Sequence, residues 1–470
     1  MTKEPLMLGV IILAAGKGTR MHSALPKVLH PIGGQPMLAH LLATATKLTT
    51  QPAEQPAAQP PIVVCGHERE RIQSAFAHVD ITWITQAQQL GTGHAVLQAL
   101  PHIADETTYL ILVGDAPLIQ PQTLTALAKT SQDSGIAVLT VNLGNPTGYG
   151  RIICDTNGHV TRIVEEKEAS ATEKTIQEIN SGCFAIRGDL LKTLLPLITN
   201  DNQQHEYYLT DVVALAAQHG YPVKSYRLAD SQQIMGCNNK KQLATLERIY
   251  QRRQADSLLD NGVTLFDPNR FDMRGQLTHG QDVSIDINCL LIGNVHLADN
   301  VTIGANCIIK NSHIGAGTVI LPNTIIEDAT IGAAAQIGPF ARIRPNTRLA
   351  DATKIGNFVE LKNTTVGIDS KINHLSYVGD AVIGDNVNIG AGAITCNYDG
   401  ANKHLTTIED NVFVGSNTAL VAPIHIAHGA TIGAGSTISK PVASENLAIA
   451  RSKQRNIENW QRPQKQPPNK

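Results

Sequence analysis

The chain has 470 residues, and because one hydrophobic core rarely serves more than about 250–300 residues, this length predicts two or more domains. It carries 38 Lys and Arg residues against 40 Asp and Glu residues, a formal net charge of −2. This balance argues against a protein that binds nucleic acid through a basic surface. Seven scattered cysteines without a C-x-x-C pair argue against a disulfide framework or a structural zinc site.

Neither a membrane span nor a secretion signal is predicted. No apolar stretch approaches the roughly 20 residues of a transmembrane helix. The apolar run at 6–15 is short, lacks the features of a signal peptide, and ends in a glycine-rich turn. We therefore expect a cytoplasmic protein that does not insert into membranes.

The first part of the chain alternates strand-like and helix-like segments. Short aliphatic runs occur at residues 9–13, 62–64, 108–113 and 137–141, with a helical pattern at 123–129. Such alternation predicts an α/β domain with a mainly parallel sheet, which we place at 1–238. The Pro/Gln-rich segment 50–61 is predicted to be an exposed loop within this domain.

Residues 239–262 are predicted to form a linker helix, since apolar residues recur there at helical spacing among Lys, Arg and Gln. From about residue 263 the apolar period becomes six, as at Ile331, Ile337, Ile343, Leu349, Ile355 and Leu361. A six-residue period is typical of a parallel β-helix, which we place at 263–450. A polar, basic and Pro-rich arm is predicted at 451–470.

A glycine-rich turn, LAAGKGTRM at 13–21, follows the first predicted strand and could cradle phosphates, although it is neither a Walker loop nor a dinucleotide fingerprint. Lys27 follows in LPK, and Asp115 ends an aliphatic run in VGD. A carboxylate at a strand end beside phosphates is a natural Mg²⁺ ligand, but a helix cap or turn residue explains Asp115 equally well.

These motifs resemble the sugar-nucleotide pyrophosphorylases. Further segments are similar to the family of bacterial bifunctional N-acetylglucosamine-1-phosphate uridylyltransferase/glucosamine-1-phosphate N-acetyltransferases. They are QAQQLGTGHA (86–95), PTGYGR (146–151), IVE (163–165), EINSG (178–182), EYYLTD (206–211) and GCNN (236–239). The resemblance covers about residues 8 to 451. It implies a Rossmann-like nucleotidyltransferase domain followed by a left-handed parallel β-helix of hexapeptide repeats.

The resemblance also implies roles for residues of the first domain. UTP would lie against Leu13, Ala14, Ala15, Gly16, Gln86, Gly91 and Thr92. Lys27 would contact phosphate, Val113 and Gly114 would belong to the same site, and Gly150, Glu165 and Asn180 would bind the sugar. Asp115 and Asn238 would hold Mg²⁺. The family often has tyrosine where this chain has Val113. The sugar phosphate that attacks UTP is already anionic, so this chemistry needs positioning and charge neutralisation and no general base.

Residues 340–398 contain basic and amide side chains around His374 that a structural repeat does not require, although a lone histidine is more often an ordinary surface or core residue. The resemblance implies that His374 is the general base, a task that suits an imidazole. It implies a sugar-phosphate site at Arg344, Lys362, Tyr377 and Asn388. It implies an acetyl-CoA site at Ala391, Asn397, Tyr398, Ser416, Ala434 and Arg451. A homotrimer is implied, with acetyl-transfer sites between β-helices. From Asn397 to about Thr407 the period breaks, which predicts an inserted loop.

The predicted function is therefore acetylation of glucosamine 1-phosphate by acetyl-CoA, followed by transfer of UMP from UTP, which yields UDP-N-acetylglucosamine for bacterial envelope polysaccharides. One alternative is a single-activity nucleotidyltransferase whose β-helix is structural or regulatory; it predicts no cluster around His374. Another is a translation-factor subunit that keeps the layout as a scaffold. It predicts loss of the glycine-rich turn, Lys27 or Asp115, yet all three are present.

Overall fold

The computed structural model describes residues 6–49 and 59–465. Positions 50–58 of the predicted Pro/Gln-rich loop, and the last five residues of the predicted arm, lie outside this range. The chain divides into two compact units, Met1–Gln251 and Arg252–Lys470. The division falls inside a long helix, so the domain boundaries predicted at 238 and 262 stay predictions. None of the described helices has the length and hydropathy needed to cross a membrane.

The N-terminal unit contains, in its described part, a nine-stranded sheet and a small hairpin. The strands are β1 Leu8–Ala14, β2 Pro31–Ile32, β3 Gln35–Pro36, β4 Ile62–Cys65, β5 Thr82–Thr85, β6 Thr108–Val113, β7 Ile136–Asn142, β8 Arg151–Cys154, β9 Val160–Val164, β10 Glu178–Arg187 and β11 Lys224–Leu228. The sheet order is β11-β7-β10-β6-β1-β4-β5, with β8 beside β10 and β9 beside β8. Strands β5, β4, β1 and β6 are mutually parallel, whereas β10 is antiparallel to its neighbours.

Helices cover both faces of this sheet. They are α1 Met37–Thr49, α2 Arg69–Ala75, α3 Thr92–Leu97, α4 Pro121–Ser131, α5 Gly188–Leu194 and α6 Asp211–Gln218, and α7 Lys240–Asp260 follows them. Alternate residues of β1 enter two separate cores: Val10 and Ile12 pack on one face, and Ile11 packs on the other. Burial on both faces explains why the strands are continuous aliphatic runs. The four predicted strands and the 123–129 helix are confirmed, and a helix is present at Lys240–Asp260, where the linker helix is predicted.

The C-terminal unit is a parallel β-helix. Its strands are β12 Thr264–Leu265, β13 Phe271–His279, β14 Ser284–Ile285, β15 Cys289–Leu297, β16 Thr302–Ile303, β17 Ile308–Lys310, β18 His313–Ile314, β19 Val319–Ile320, β20 Ile325–Glu327, β21 Thr330–Ile331, β22 Gln336–Ile337, β23 Arg342–Ile343, β24 Arg348–Leu349, β25 Lys354–Asn357, β26 Glu360–Val366, β27 Lys371–His374, β28 Tyr377–Ile383, β29 Asn388–Ile389, β30 Ile394–Cys396, β31 Thr406–Ile408, β32 Phe413–Val414, β33 Ala419–Val421, β34 Ile424–Ile426, β35 Thr431–Ile432, β36 Thr437–Ile438 and β37 Leu447–Ala448.

The six-residue period lines the interior of the β-helix. Ile303, Ile320, Ile337, Ile355 and Ile372 pair in register from coil to coil, and each is at most 1% exposed. Each aliphatic side chain therefore stacks on its counterpart one coil away, as the period predicts. Asparagines at several turns adopt the left-handed conformation, which this residue type tolerates better than most.

One coil is longer than its neighbours. Ile389 pairs with Val414, 25 residues away, whereas Val414 pairs with Ile432, 18 residues away. The additional residues form a loop between β30 and β31, closed by an antiparallel bridge between Tyr398 and Lys403. The predicted break of the six-residue period is confirmed. Within 451–465, the described part of the predicted arm, there is neither helix nor strand.

Candidate active sites

The segments after β1 and β6 run side by side, because these strands are parallel neighbours with Leu13 opposite Val113. The Gly114 N–H donates to the Leu13 carbonyl at 2.9 Å. A Cβ on Gly114 would lie 2.6 Å from that oxygen, so glycine is what lets the two segments approach. Asp115 therefore lies at the carboxyl edge of the parallel strands, where α/β sheets bind ligands.

A cavity of about 310 Å³ opens at this edge. It gathers ten of the residues predicted for the nucleotide site. It is lined by Leu13, Ala14, Ala15, Gly16, Lys27, Gln86, Gly91, Thr92, Val113 and Asp115, and also by Val28, Gln89, Ala95 and Glu206. The prediction named none of these last four.

Three polar side chains meet at one edge of this cavity. The Lys27 ammonium forms an ion pair with Asp115 and donates a hydrogen bond of 2.8 Å to Asn238 Oδ1. Arg20 donates to the same Asn238 oxygen at 2.9 Å. The two predicted metal ligands therefore direct their oxygens at one cationic atom.

This donor set fits Mg²⁺. The described residues contain no group of three or more His, Cys, Asp or Glu side chains able to hold a metal. Mg²⁺, however, is commonly held by one or two protein oxygens together with substrate phosphates and water. Asp115 and Asn238 supply two such oxygens.

The turn at Gly91 and Thr92 is held by the segment 206–211, whose role the sequence did not reveal. Gly91 has φ 114°, and a Cβ there would lie 2.4 Å from the Tyr207 carbonyl oxygen. Thr92 Oγ1 accepts a hydrogen bond of 3.0 Å from the Leu209 N–H. Gln86 is 3% exposed and donates to the Gly91 carbonyl at 3.0 Å. The wall predicted to receive the nucleotide is thus rigidly braced.

The three residues predicted for the sugar lie at the ends of three adjacent strands, β8, β9 and β10. The Asn180 N–H donates to the Gly150 carbonyl at 2.9 Å. Glu165 follows β9 and accepts a hydrogen bond of 3.3 Å from Thr210 Oγ1. Burial raises the pKa of the Glu165 carboxyl above its usual value. These residues line up beside each other because β8 is hydrogen-bonded to both other strands.

In the β-helix, five residues occupy the same turn position in successive coils, each two residues after a buried residue that pairs in register. We call these the His374 column: Asn357, His374, Ala391, Ser416 and Ala434. The predicted base and three predicted acetyl-CoA residues therefore lie on one line. Arg451 adjoins its end, donating a hydrogen bond of 2.7 Å to the Ala434 carbonyl.

The imidazole of His374 is exposed and has one side-chain partner. Its Nδ1 lies 2.8 Å from Asn357 Oδ1. Because an amide oxygen only accepts, this contact assigns the proton to Nδ1 and leaves the Nε2 lone pair free to accept one. The sequence did not identify Asn357 as the orienting group, because it lies 17 residues away and only the coil register makes it a neighbour.

A cationic cluster lies on the next face of the coil. Arg344 donates to Glu360 at 2.7 Å, and Lys362 pairs in register with Gly379, next to Asp380. The neighbouring Lys362 side chain lowers the pKa of Lys403, a residue of the inserted loop. The Asp380 carboxylate interacts with both ammonium groups, so two cations and one anion meet here.

The remaining predicted residues lie on neighbouring strands and in the inserted loop. Tyr377 pairs in register with Glu360 on β26, and Asn388 lies on β29, opposite Lys371. Asn397 is 7% exposed and donates to Asp380. The Tyr398 hydroxyl donates to the Gly400 carbonyl at 2.6 Å. Sequence reasoning missed Asp380 and Lys403, although the break in the period had marked the loop that carries Lys403.

A larger cavity, about 630 Å³, lies against the first coils of the β-helix and includes none of the predicted residues. His296 and His313 stack there with ring centroids 4.4 Å apart. Its lining is amide, hydroxyl and imidazole groups with one carboxylate, Asp328.

Models of known protein families match segments in both units of the chain. Residues 10–181 match the MobA-like NTP transferase domain, and residues 405–440 match the bacterial transferase hexapeptide (six repeats). Fold and sites together define a two-domain transferase that joins a nucleotidyltransferase to a hexapeptide-repeat acyltransferase. The "Bifunctional protein GlmU" of Cupriavidus pinatubonensis is 52% identical over 458 residues, 97% of this chain and 99% of the relative. That of Aromatoleum aromaticum is 50% identical over 456 residues, 97% and 98% of the two chains.

The chain belongs to the GlmU family of bifunctional proteins. It is an enzyme with uridylyltransferase and acetyltransferase activity that serves UDP-N-acetylglucosamine and cell-wall biosynthesis. The single-activity and scaffold alternatives are set aside, since the relatives named bifunctional match nearly the whole chain.

Proposed function

We propose that each activity resides in one of the two sites, and that the meeting of Lys27, Asp115 and Asn238 marks the uridylyl-transfer site. A lysine, a carboxylate and an amide oxygen converge there at the carboxyl edge of β1 and β6. This arrangement suits a triphosphate with a divalent cation. UTP lies against Leu13–Gly16, Gln86, Gly91, Thr92, Val113 and Gly114, and the sugar lies against Gly150, Glu165 and Asn180.

In uridylyl transfer, a phosphate oxygen of N-acetylglucosamine 1-phosphate attacks the α-phosphorus of UTP. The new P–O bond forms as the bond to pyrophosphate breaks, and pyrophosphate leaves with its charge. The nucleophile is already an anion, so no side chain has to remove a proton. Lys27 neutralises developing charge on the phosphates, and the pre-organised groups of the cavity wall hold the reactants in line.

Asp115 and Asn238 are the residues we propose to hold Mg²⁺. When bound, the ion supplies charge neutralisation of the triphosphate and of the leaving pyrophosphate. The support is the shared target of their oxygens, the Lys27 ammonium, which lies where a cation is favoured.

In acetyl transfer, His374 Nε2 takes a proton from the amino group of glucosamine 1-phosphate. The nitrogen attacks the thioester carbon of acetyl-CoA, the C–N bond forms, the C–S bond breaks, and the departing sulfur receives the proton from the imidazolium. Asn357 fixes the tautomer this requires. Arg344, Lys362, Tyr377 and Asn388 hold the sugar phosphate. Acetyl-CoA lies along Ala391, Asn397, Tyr398, Ser416, Ala434 and Arg451.

We propose that the chain forms a homotrimer through an exposed apolar ridge beside the His374 column. Phe340 and Phe358 stack at 5.4 Å on successive coils while 50% and 56% exposed, and Leu375 continues the ridge at 63% exposed. Large apolar groups aligned on a surface mark contact sites. Covering by further copies of this chain would enclose the exposed His374.

A cytoplasmic location is proposed because Cys154 and Cys396 are exposed free thiols. Free surface thiols persist in reducing compartments.

The proposal is tested by incubating the protein with glucosamine 1-phosphate, acetyl-CoA, UTP and Mg²⁺. UDP-N-acetylglucosamine and pyrophosphate are expected. Omitting acetyl-CoA should stop the reaction unless N-acetylglucosamine 1-phosphate is supplied. A chelator should stop uridylyl transfer and leave acetyl transfer unchanged. Uridylyl transfer that persists without divalent metal would contradict the Mg²⁺ assignment.

A further inference from the structure

Arg151 occupies a central place beneath the proposed sugar site. Its side chain is 2% exposed, and it is the bulkiest fully buried side chain among the described residues. It begins β8, directly after Gly150. Its partners in register are Val164, which precedes Glu165, and Ile179, which precedes Asn180. The three residues proposed to bind the sugar therefore surround the backbone of Arg151.

The Arg151 guanidinium links the turn before Gly150 to the segment that follows β9. One nitrogen donates to the Tyr149 carbonyl, and another donates to Glu166 Oε2 at 2.7 Å. The Gly148 N–H donates to the same carboxylate oxygen at 3.2 Å. The turn before Gly150 is thus fastened at both ends, to Arg151 and to the residue after Glu165. The hydrogen bond from Arg151, followed by that from Gly148, lowers the pKa of the Glu166 carboxyl.

Stability alone is a weak reason for this arrangement. Burying the Arg151 guanidinium has a desolvation cost that often cancels the attraction to a partner, here Glu166, whose own side chain is 28% exposed. Arg151 Nε is, moreover, buried without a hydrogen-bond partner in the described part of the chain, which costs further free energy. The contacts of Arg151 instead fix the geometry of the turn before Gly150, because a planar guanidinium has fixed donor directions.

We infer that Arg151 and Glu166 are positioning residues for uridylyl transfer, which hold Gly150 and Glu165 in the arrangement that receives N-acetylglucosamine 1-phosphate. This inference rests on the proposed sugar site. Neither side chain is assigned to substrate contact: Arg151 is buried, and Glu166 is engaged with Gly148 and Arg151. Their effect on the reaction passes through the turn and through the end of β9.

The test compares Glu166→Gln, Arg151→Lys and Glu165→Gln in the full chain, by steady-state kinetics in both substrates. Glutamine at 166 keeps a hydrogen-bond acceptor but loses the charge, and lysine at 151 has one nitrogen in place of the two that contact Tyr149 and Glu166. Glu166→Gln should raise the KM for N-acetylglucosamine 1-phosphate about tenfold or more, since small misplacements of positioned groups cost up to about 10²-fold. The KM for UTP should stay within about twofold. Acetyl transfer should be unchanged.

Glu173→Gln is the matched control, because it breaks the ion pair of 2.6 Å between Glu173 and Arg162 in the same unit without touching the turn. It should leave both KM values unchanged. If Glu166→Gln and Arg151→Lys lower only kcat, or raise both KM values equally, the positioning role is wrong. If Glu165→Gln raises the KM for the sugar phosphate while Glu166→Gln does not, the sugar site stands and the inference fails. If Glu165→Gln also has no effect, the proposed sugar site itself is wrong.

Discussion

The two sites are assembled in different ways. In the N-terminal unit, Lys27, Asp115 and Asn238 are far apart in the sequence and meet because their segments end at one edge of the sheet. In the β-helix, Asn357 and His374 are 17 residues apart and meet because one coil has that length. An α/β sheet gathers scattered residues through its strand order, whereas a β-helix aligns residues through its repeat.

Acidic side chains in the two units also lie in different surroundings, which shift their pKa values in opposite directions. Burial raises the pKa of Glu165, and burial raises the pKa of Asp211 to about 6, with Glu168 and Glu165 adding to the effect. In the β-helix, the pKa of Asp399 is lowered by hydrogen bonds from the Asn402 N–H and from His404. Acidic groups near the first site are partly buried, whereas Asp399 near the second is exposed and held by hydrogen bonds.

The strongest test of the separation between the sites is His374→Ala. It should lower acetyl transfer by about 10²–10⁴-fold, the usual contribution of a general base. Turnover of supplied N-acetylglucosamine 1-phosphate with UTP should not change. A fall in acetyl transfer of less than about threefold would place the base elsewhere.

Asp115→Ala is the converse test in the N-terminal unit. Loss of this charged group from the proposed phosphate site should lower pyrophosphate release by about 10²–10³-fold, while acetyl transfer is retained. Asp115→Asn keeps the shape and removes the charge, so it should be nearly as impaired. Undiminished pyrophosphate release by either variant would exclude Asp115 as a metal ligand.

The variant Lys403→Ala tests whether the inserted loop helps to bind glucosamine 1-phosphate. Removing one charge-assisted hydrogen bond, about 1.5–3 kcal/mol, should raise the KM for glucosamine 1-phosphate by at least tenfold and leave the KM for acetyl-CoA unchanged. Lys310→Ala is the matched control. It removes a lysine of β17, which lies opposite Glu327 and two coils away from β23, the strand that precedes Arg344. Equal effects of the two variants would contradict a specific role for Lys403.

The smallest effect concerns stability and pH. Folding raises the pKa of the Asp211 carboxyl, so the folded state favours its protonated form. The resulting contribution to the free energy of unfolding is present at low pH and is lost as pH rises between about 4 and 6. Asp211→Asn should therefore raise the melting temperature of the N-terminal unit at pH 7.5, by a few degrees, and have little effect at pH 4. Asp189→Asn should do the opposite at pH 7.5, because Arg187 lowers the pKa of Asp189. Destabilisation by Asp211→Asn at pH 7.5 would show that its charge is needed.

The sequence predicts the β-helix almost completely, because its period is local and each buried aliphatic residue repeats the last. It also predicts that the glycine-rich turn and the VGD motif lie together at one edge of the sheet, since both directly follow strands, whereas nucleotide binding in the adjoining cavity stays a prediction. The contact between Arg151 and Glu166 was not predicted, although Arg151 ends the quoted motif PTGYGR and Glu166 directly follows the quoted motif IVE. Their contact depends on the pairing of β8 with β9, which the sequence does not state. Lys403 was missed because an insertion has no repeat from which its position can be counted.

The His374 column also sets a length. Adjacent coils are about 5 Å apart, the spacing of hydrogen-bonded strands. His374 and Ala434 are three coils apart, so a ligand spanning them is measured against a fixed rise of about 15 Å. On the proposed placement of acetyl-CoA along this column, the coil spacing would set the distance from the carrier's binding residues to the imidazole. A carrier whose arm is shorter or longer by one step would then present its reacting carbon one coil away from His374.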